Sequence, residues 1–446
     1  KPKVSDVHIR YTLGGQPTEV NPPMNTIRAI RVSAVALIAI LLIATIPSLF
    51  AQKTPKSGQQ IEQLLQDAVS QKGFPGIVAA VWRADKLVYQ GAAGKQDSDK
   101  NVPMTVDSIF SIASMTKPIT SVAVMQLVES GRVKLNEPVA TYLPELSQLQ
   151  VLEAFDSTTK KATLRPPKTP PTVRQLLTHT SGFVYDFFDQ KLHDYVASGA
   201  VPSVAKGDDS YLKAPLMFDP GTQWEYGIST DWLGKLVEKI SGQSLEDYFH
   251  QHIFEPLGMK DTFFNVPEDK QARMVATYQR TSDGSLKQLP ARPFTPVRFF
   301  SGGGGLYSTA GDYMKFMRMI LNGGKLGNAR ILNSETVALM TRNQIGDLNL
   351  KELKSLAPQL ASNPIRLPGS PDKFGLGFGI NSKPFEGGRS AGSGSWAGIF
   401  NTYFWIDPSQ KTCAVFLTQS LPFADPATIA LFDQFERAVY ADRNGR

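Results

Sequence analysis

Runs that read as β-strands lie near both ends of this chain, and the long stretch between them reads as helical. Ile77–Trp82 and Leu87–Ala93 read as two strands, joined by Arg83-Ala84-Asp85-Lys86. Far along the chain, Asn401–Ile406 and Thr412–Gln419 form a second hairpin around Asp407-Pro408-Ser409-Gln410-Lys411. A helix flanks each pair. Gln59–Lys72 repeats Ile61, Leu64, Leu65, Ala68 and Val69 at helical spacing, and Leu431, Phe432, Phe435 and Val439 do the same at the end. Strands this far apart predict one sheet assembled from both termini. Residues 59–132 and 298–441 would form an α/β sheet domain, and 133–297 an inserted, mainly helical domain. Within the insert, Val173–Leu177 and Asp231–Ser241 read as helices and Gln190–Ala214 as a polar loop. Phe374–Ile380 reads as an apolar strand with alternating glycine, and Lys354–Pro371 as a surface loop.

The first 51 residues stand apart from this plan. Ala34 to Ala44 is almost wholly apolar, with Arg28 and Arg31 before it and Ser48-Leu49-Phe50-Ala51-Gln52 after it. That order matches a secretory signal peptide leaving near Ala51, which implies export; a membrane anchor is the alternative. The run is short for a span of about 20 residues, and Pro47 interrupts it. Met24 is a natural start for such a signal, so residues 1–23 read as a non-native extension. The segment also inflates the net charge of +7. It holds five Lys/Arg and two Asp/Glu, leaving 42 basic and 38 acidic residues, a mixed +4 that argues against nucleic acid as partner. The one cysteine, Cys413, excludes an internal disulfide and reads as a buried apolar residue. The five histidines form no metal-spaced cluster, and neither a metal nor another cofactor is expected.

Chemistry enters at Ser114-Met115-Thr116-Lys117, which opens a helix carrying Ile119, Val122, Ala123, Gln126 and Leu127 and ending near Gly131. Residues three apart share a helix face, with Cβ atoms about 5–6 Å apart, so the amine can reach the hydroxyl. The helix N-terminus adds N–H groups and positive dipole beside a forming oxyanion. A capping serine beside a solvated lysine would look the same. Two more segments weigh against that bland reading. Pro220-Gly221-Thr222-Gln223-Trp224-Glu225-Tyr226-Gly227-Ile228-Ser229 is one, and Trp396-Ala397-Gly398-Ile399 before Asn401–Pro408 is the other.

With Leu176–Gly182 and Gly302–Ala310, these motifs resemble the serine β-lactamase-like family from about residue 59 to 440. The chain is most similar there to the family VIII carboxylesterases, relatives of class C β-lactamases. The resemblance implies an α/β fold of the β-lactamase/transpeptidase type, with an antiparallel sheet flanked by helices. It implies that Ser114 is acylated, that Lys117 takes or relays its proton, and that Tyr226 is the partner base and later protonates the leaving alcohol. The third motif would start an edge strand facing the nucleophile, its Ile399 N–H pairing with that of Ser114 as an oxyanion hole. Trp396, Gly398 and Ile228 would line the substrate site.

Two departures steer the substrate. Lactamases end the second motif in asparagine and begin the third with lysine; Ile228 and Trp396 stand there in this chain. An apolar pair cannot hold an anionic carboxylate, whose unpaired burial is costly. A neutral, partly aromatic or acyl-chain ester therefore suits the site better, and a serine carboxylesterase acting on short-chain esters through an acyl-enzyme is the leading expectation. A β-lactamase or D-alanyl-D-alanine carboxypeptidase is the second, and a penicillin-binding sensor without turnover the third. Gly388-Arg389-Ser390-Ala391-Gly392 mimics the nucleophile turn of α/β-hydrolases, but no histidine follows His252, so that catalytic order cannot form. His179 beside Thr180-Ser181-Gly182 reads as a structural histidine. Asp186 and Asp189, flanking Phe187 and Phe188, could shape the entrance to a site, with a solvated loop as the default reading.

Overall fold

The computed structural model describes residues 56–441, apart from 292–293, 364 and 366–368. The expected leader, its exit near Ala51 and the Met24 start lie outside those residues. The main sheet has eight strands: β1 (Gly76–Arg83), β2 (Lys86–Asp97), β3 (Val102–Pro103), β4 (Lys373–Phe374), β5 (Gly379–Ile380), β6 (Gly394–Gly398), β7 (Thr402–Asp407) and β8 (Thr412–Leu417). Their order is β4-β5-β6-β7-β8-β1-β2-β3, and all neighbours run antiparallel. β1 and β8 lie side by side, so the two ends of the chain meet in the middle of the sheet. The β1–β2 hairpin turns on Ala84 and Asp85, both at positive φ (46° and 62°), which matches the right-handed twist of its strands.

Alternation along the central strands covers both faces of the sheet. Ile77, Ala79, Val81, Trp405 and Phe416 point to one side, where they meet α1 (Lys56–Lys72) and the C-terminal α7 (Pro426–Tyr440). Val78, Ala80, Phe404, Val415 and Leu417 join the larger core on the other side. That core contains α2 (Thr116–Glu129), the short α3 (Val173–Leu177), α4 (Gln190–Ala197), α5 (Ser229–Ser241) and α6 (Ala310–Leu321). α2 is buried nearly all round, as expected of a helix apolar on every side. It ends at Ser130, with Gly131 at φ 72° as its left-handed cap. Cys413 is fully buried beside Met314, 3.5 Å from sulfur to sulfur.

Three expectations need correction. Gln190–Ala214 is not a bare loop: α4 occupies its first third, capped by Asp189, whose carboxylate accepts from the Leu192 N–H at 2.8 Å. One buried residue, Leu192, was too little periodicity to announce that helix. Phe374–Ile380 is a tight hairpin, not one strand, because Gly377 adopts φ 95° where a Cβ would overlap Ser121 on α2. Lys354–Pro371 is not all surface, since Ser355 and Ala361 are buried.

The Gly388–Gly392 segment has a structural task. Arg389 is 3 % exposed and makes a two-pronged ion pair with fully buried Glu436 of α7, at 2.9 and 2.6 Å. The Arg389 N–H also donates to Glu436, and the Ser390 N–H to Asp407 at the end of β7, both at 2.9 Å. Glu436→Ala strands a buried guanidinium, so urea unfolding is expected to show a loss of about 3–5 kcal/mol. A loss below about 1 kcal/mol would contradict this account of the segment.

Candidate active site

The nucleophile turn is held on several sides. Ala113–Met115 forms one 3₁₀ turn that runs directly into α2, so Ser114 sits just ahead of the helix. Ala113 is strained into a left-handed conformation, φ 43°. The Met115 carbonyl accepts from the Tyr313 hydroxyl at 2.9 Å, and the Thr116 hydroxyl donates to the Ala113 carbonyl at 2.7 Å. Strand β6 comes against this turn at Gly398, where any Cβ would overlap the Ile112 carbonyl and Thr402. The glycine therefore lets the strand approach the nucleophile-bearing backbone, more than it admits substrate. β6 is the third strand from the sheet edge, not the edge itself. Its outer neighbour pairs only with Gly394 and Ser395, however, so Trp396–Gly398 stay open on that side.

Lys117 is 2 % exposed. Its Nζ lies 3.2 Å from Ser114 Oγ, 2.9 Å from the Tyr185 hydroxyl and 2.7 Å from the Gly303 carbonyl oxygen. Three oxygens match the three protons of an ammonium. A neutral amine fits as well: it would donate to Gly303 and Tyr185 and accept from Ser114. Gly303 is fixed in turn, because its N–H donates to Asp231 Oδ1 at 3.0 Å and Ser301 donates to the same oxygen at 2.6 Å. Gly302 and Gly303 pack where a Cβ would strike Thr230 and Asp231. The glycine run thus lies against the start of α5, with one carbonyl turned to the lysine.

Tyr226 reaches the same place from the second motif. Its ring lies beneath Lys117 Nζ at 4.8 Å from the centroid, and its hydroxyl accepts from Trp396 Nε1 at 3.3 Å. The residue whose hydroxyl bonds the amine is Tyr185, which the sequence analysis passed over. Burial, reinforced by the neighbouring Tyr226 and Asp231, pushes the Tyr185 phenol well above its ordinary range. Tyr185 is therefore a neutral phenol that braces the lysine. The Tyr185 N–H donates to the Tyr226 carbonyl at 3.2 Å, and Gly227 leaves room for the Phe183–Val184 backbone, so the two tyrosines are locked together. Only its position three residues past Gly182 of the Leu176–Gly182 stretch could have pointed to Tyr185.

Ser114, Tyr226, Trp396, Gly398 and Ile399 all line one cavity of about 920 Å³ with mostly apolar walls. Among the described residues, neither the Ser114 nor the Ile399 N–H shows a backbone acceptor. Ile228 is a correction: it does not line the cavity but is buried in the core, where the turn at Gly227 sends it before α5 begins. Ser390 borders a separate cavity of about 380 Å³. His179, 2 % exposed, packs edge-on against Trp224, Tyr226 and Phe374, and its Nδ1 has no hydrogen-bond partner. Among the described residues no group of three or more His, Cys, Asp or Glu side chains could hold a metal ion.

Serine, lysine, tyrosine and the tryptophan-led strand thus converge from three distant segments. The Beta-lactamase family profile matches residues 61–436. The chain belongs to the β-lactamase family. Monacolin J acid methylbutanoyltransferase of Aspergillus terreus is 33% identical over 400 residues, covering 85% of this chain and 95% of that one. Lovastatin esterase of Penicillium rubens is 30% identical over 380 residues, covering 82% and 93%. Among solved structures, unliganded simvastatin synthase from Aspergillus terreus superposes with TM-score 0.78 at 33% identity, covering 88% of this chain and all of that one. This β-lactamase-family protein therefore has the antiparallel fold and the serine hydrolase-type ancestry that its motifs implied, and its relatives include both acyltransferases and esterases.

Two outcomes are expected of the site. Burial, with Lys117 nearby, holds the His179 imidazole well below the ordinary value of 6.5. The folded state then refuses a proton that the unfolded chain accepts. Stability is full above about pH 6.5 and falls below it, by up to about 1.4 kcal/mol per pH unit. Urea unfolding as a function of pH should show that slope, reduced in His179→Gln. Gly398→Ala should push β6 from the nucleophile turn and lower kcat about 10²–10³-fold, the usual effect of a lost oxyanion donor. A near-normal kcat in a folded Gly398→Ala protein would contradict the close-approach account.

Proposed function

We propose that this protein is a serine carboxylesterase that is acylated at Ser114 and hydrolyses neutral, short-chain carboxylic esters without a cofactor. The carrying observation is the buried Lys117 amine, 3.2 Å from Ser114 Oγ and held by the Tyr185 hydroxyl and the Gly303 carbonyl at one wall of a mostly apolar cavity. Ser114 Oγ attacks the ester carbonyl and its proton passes to the Lys117/Tyr226 pair. The oxyanion forms against the Ser114 and Ile399 N–H groups. Collapse breaks the ester bond, and the alcohol leaves with the proton from the pair. Water, deprotonated by the same pair, attacks the acyl-enzyme and frees the acid. Which of Lys117 and Tyr226 holds the proton at each stage is left to the pair as a unit. The chain's apolar leader supports an exported site of action.

A second reading is supported by the relatives. If a larger alcohol replaces water in the second half, the same acyl-enzyme becomes an acyltransferase. Methylbutanoyltransferase and esterase activities are both named among the relatives at 30% identity or more, and a cavity near 920 Å³ is at the large end for a small-molecule site. β-Lactam hydrolysis is weaker, because Trp396 stands where lactamases carry lysine. Its indole is turned to Tyr226 and offers no charge to a carboxylate.

A panel on p-nitrophenyl butyrate and a chromogenic cephalosporin tests this reading. Wild type should strongly prefer the ester. Ser114→Ala should lose roughly 10⁴–10⁶ in kcat, and Tyr226→Phe about 10²–10⁴. Tyr185→Phe, losing one bond to the lysine amine, should cost about 10–100-fold. Ser390→Ala should stay near wild type. Preference for the cephalosporin, or activity that depends on Ser390, would reject the proposal. Product analysis with an added alcohol would show how much acyl group goes to transfer.

A further inference from the structure

Most charged groups that line the active-site cavity are already matched. Asp231 is held by Ser301 and Gly303, Arg389 by Glu436, and Lys351 by Glu225 and Gln223. Glu352 also has a partner. Asp186 differs. It lines the same cavity and is 9 % exposed, yet Oδ1 is closed from solvent with no hydrogen-bond partner. Among the described residues no donor bonds the other oxygen either, which is therefore the part of the carboxylate still open to the cavity.

The position is rigid as well as unpaired. Tyr185, one residue before, is fixed by Lys117 and by the Tyr226 carbonyl. Phe187, one residue after, stacks on Tyr185 with centroids 5.0 Å apart and touches Phe188 at 4.4 Å. The Phe188 N–H closes the turn onto the Tyr185 carbonyl at 3.0 Å. The carboxylate thus cannot swing away to water without disturbing the ridge that braces the catalytic lysine. An unmatched, nine-tenths-buried carboxylate is unfavourable in the empty protein, and such groups call for an explanation. A ligand that brings the missing donor supplies one.

We propose that Asp186 is a substrate-recognition residue that binds a hydroxyl group on the ester, so that the preferred substrates are hydroxylated esters. The proposal rests on the esterase reading and deepens it. A hydroxyl suits the group in either protonation state, since it can donate to a carboxylate or pair with a carboxylic acid. A cationic substrate group would have to shed its water between mostly apolar walls, with Lys117 close by. An anionic group would meet Asp186 with like charge, which adds to the case against β-lactams.

Two matched pairs test it with purified full-length protein. p-Nitrophenyl 3-hydroxybutyrate against p-nitrophenyl butyrate places the hydroxyl on the acyl side. 2-Hydroxyethyl butyrate against propyl butyrate places it on the alcohol side. Wild type should favour the hydroxylated member of at least one pair by about tenfold in kcat/KM, the scale of one good hydrogen bond. In Asp186→Asn and Asp186→Ala that ratio should fall toward one, further for alanine. The melting temperature of Asp186→Asn should equal or exceed that of wild type, because a neutral amide replaces a buried carboxyl group that has no partner. Ratios near one in wild type for both pairs overturn the proposal. So do unchanged ratios in the variants, or melting temperatures lowered in both variants. Faster turnover of butyrylcholine than of 2-hydroxyethyl butyrate overturns the choice of hydroxyl over cation. If wild type cleaves none of these esters, the esterase reading falls too, a result distinct from equal cleavage of both members.

Discussion

A buried primary amine surrounded by three oxygens governs this structure. Lys117 is taken out of water at the start of α2, and an ammonium there is tolerable only if the lost hydration is replaced. The replacement comes from separate parts of the chain: Ser114 on the turn just before α2, Tyr185 after α3, and the Gly303 carbonyl ahead of α6. Each contact needs its own support. Gly303 leans on Asp231, and Tyr185 on the backbone of Tyr226. Satisfying one nitrogen therefore requires the insert between the strands to fold against the sheet in one arrangement.

Small residues make that arrangement possible. Gly398 brings β6 against the turn before Ser114, Gly227 brings the two tyrosine segments together, and Gly302 and Gly303 let the glycine run touch α5. At each place a Cβ would collide with backbone or with a buried carboxylate, and neither yields easily. The glycines of the motifs are thus chosen for proximity, while the bulky residues beside them, Tyr226 and Trp396, fill the space so created and touch each other through a hydroxyl and an indole.

What the sequence disclosed follows from which interactions are local. The central strands are short apolar runs bounded by turn residues, so both hairpins were legible to within a few residues at most of their ends. Ser114 and Lys117 are one turn apart, so their meeting is a property of a helix. Tyr226 and the Trp396 strand were found only through ordered motifs, since nothing local ties them to Ser114. Tyr185 and Asp231 escaped because their meaning is tertiary, and Asp186, expected in a solvated loop, is instead buried against the cavity. A tyrosine after a glycine-containing turn looks like any other until the amine it supports is in place. Ile228 failed for the opposite reason: adjacency to a catalytic residue suggested a wall of the site, but the turn at Gly227 delivers it to the core. Helix α4 was hidden by its polar composition.

The cavity has a division of labour with a bearing on how such a protein changes over time. The reacting groups are anchored by α2, α5, the glycine run and β6. Much of the remaining wall comes from two other stretches, around Phe187–Ala205 and Leu350–Ala361, which contribute none of the groups that would make or break bonds. Substitutions accumulating in those two stretches can redraw the outline of acceptable molecules while leaving the reaction centre intact. Selectivity can therefore drift, or be engineered, on a chemically constant background.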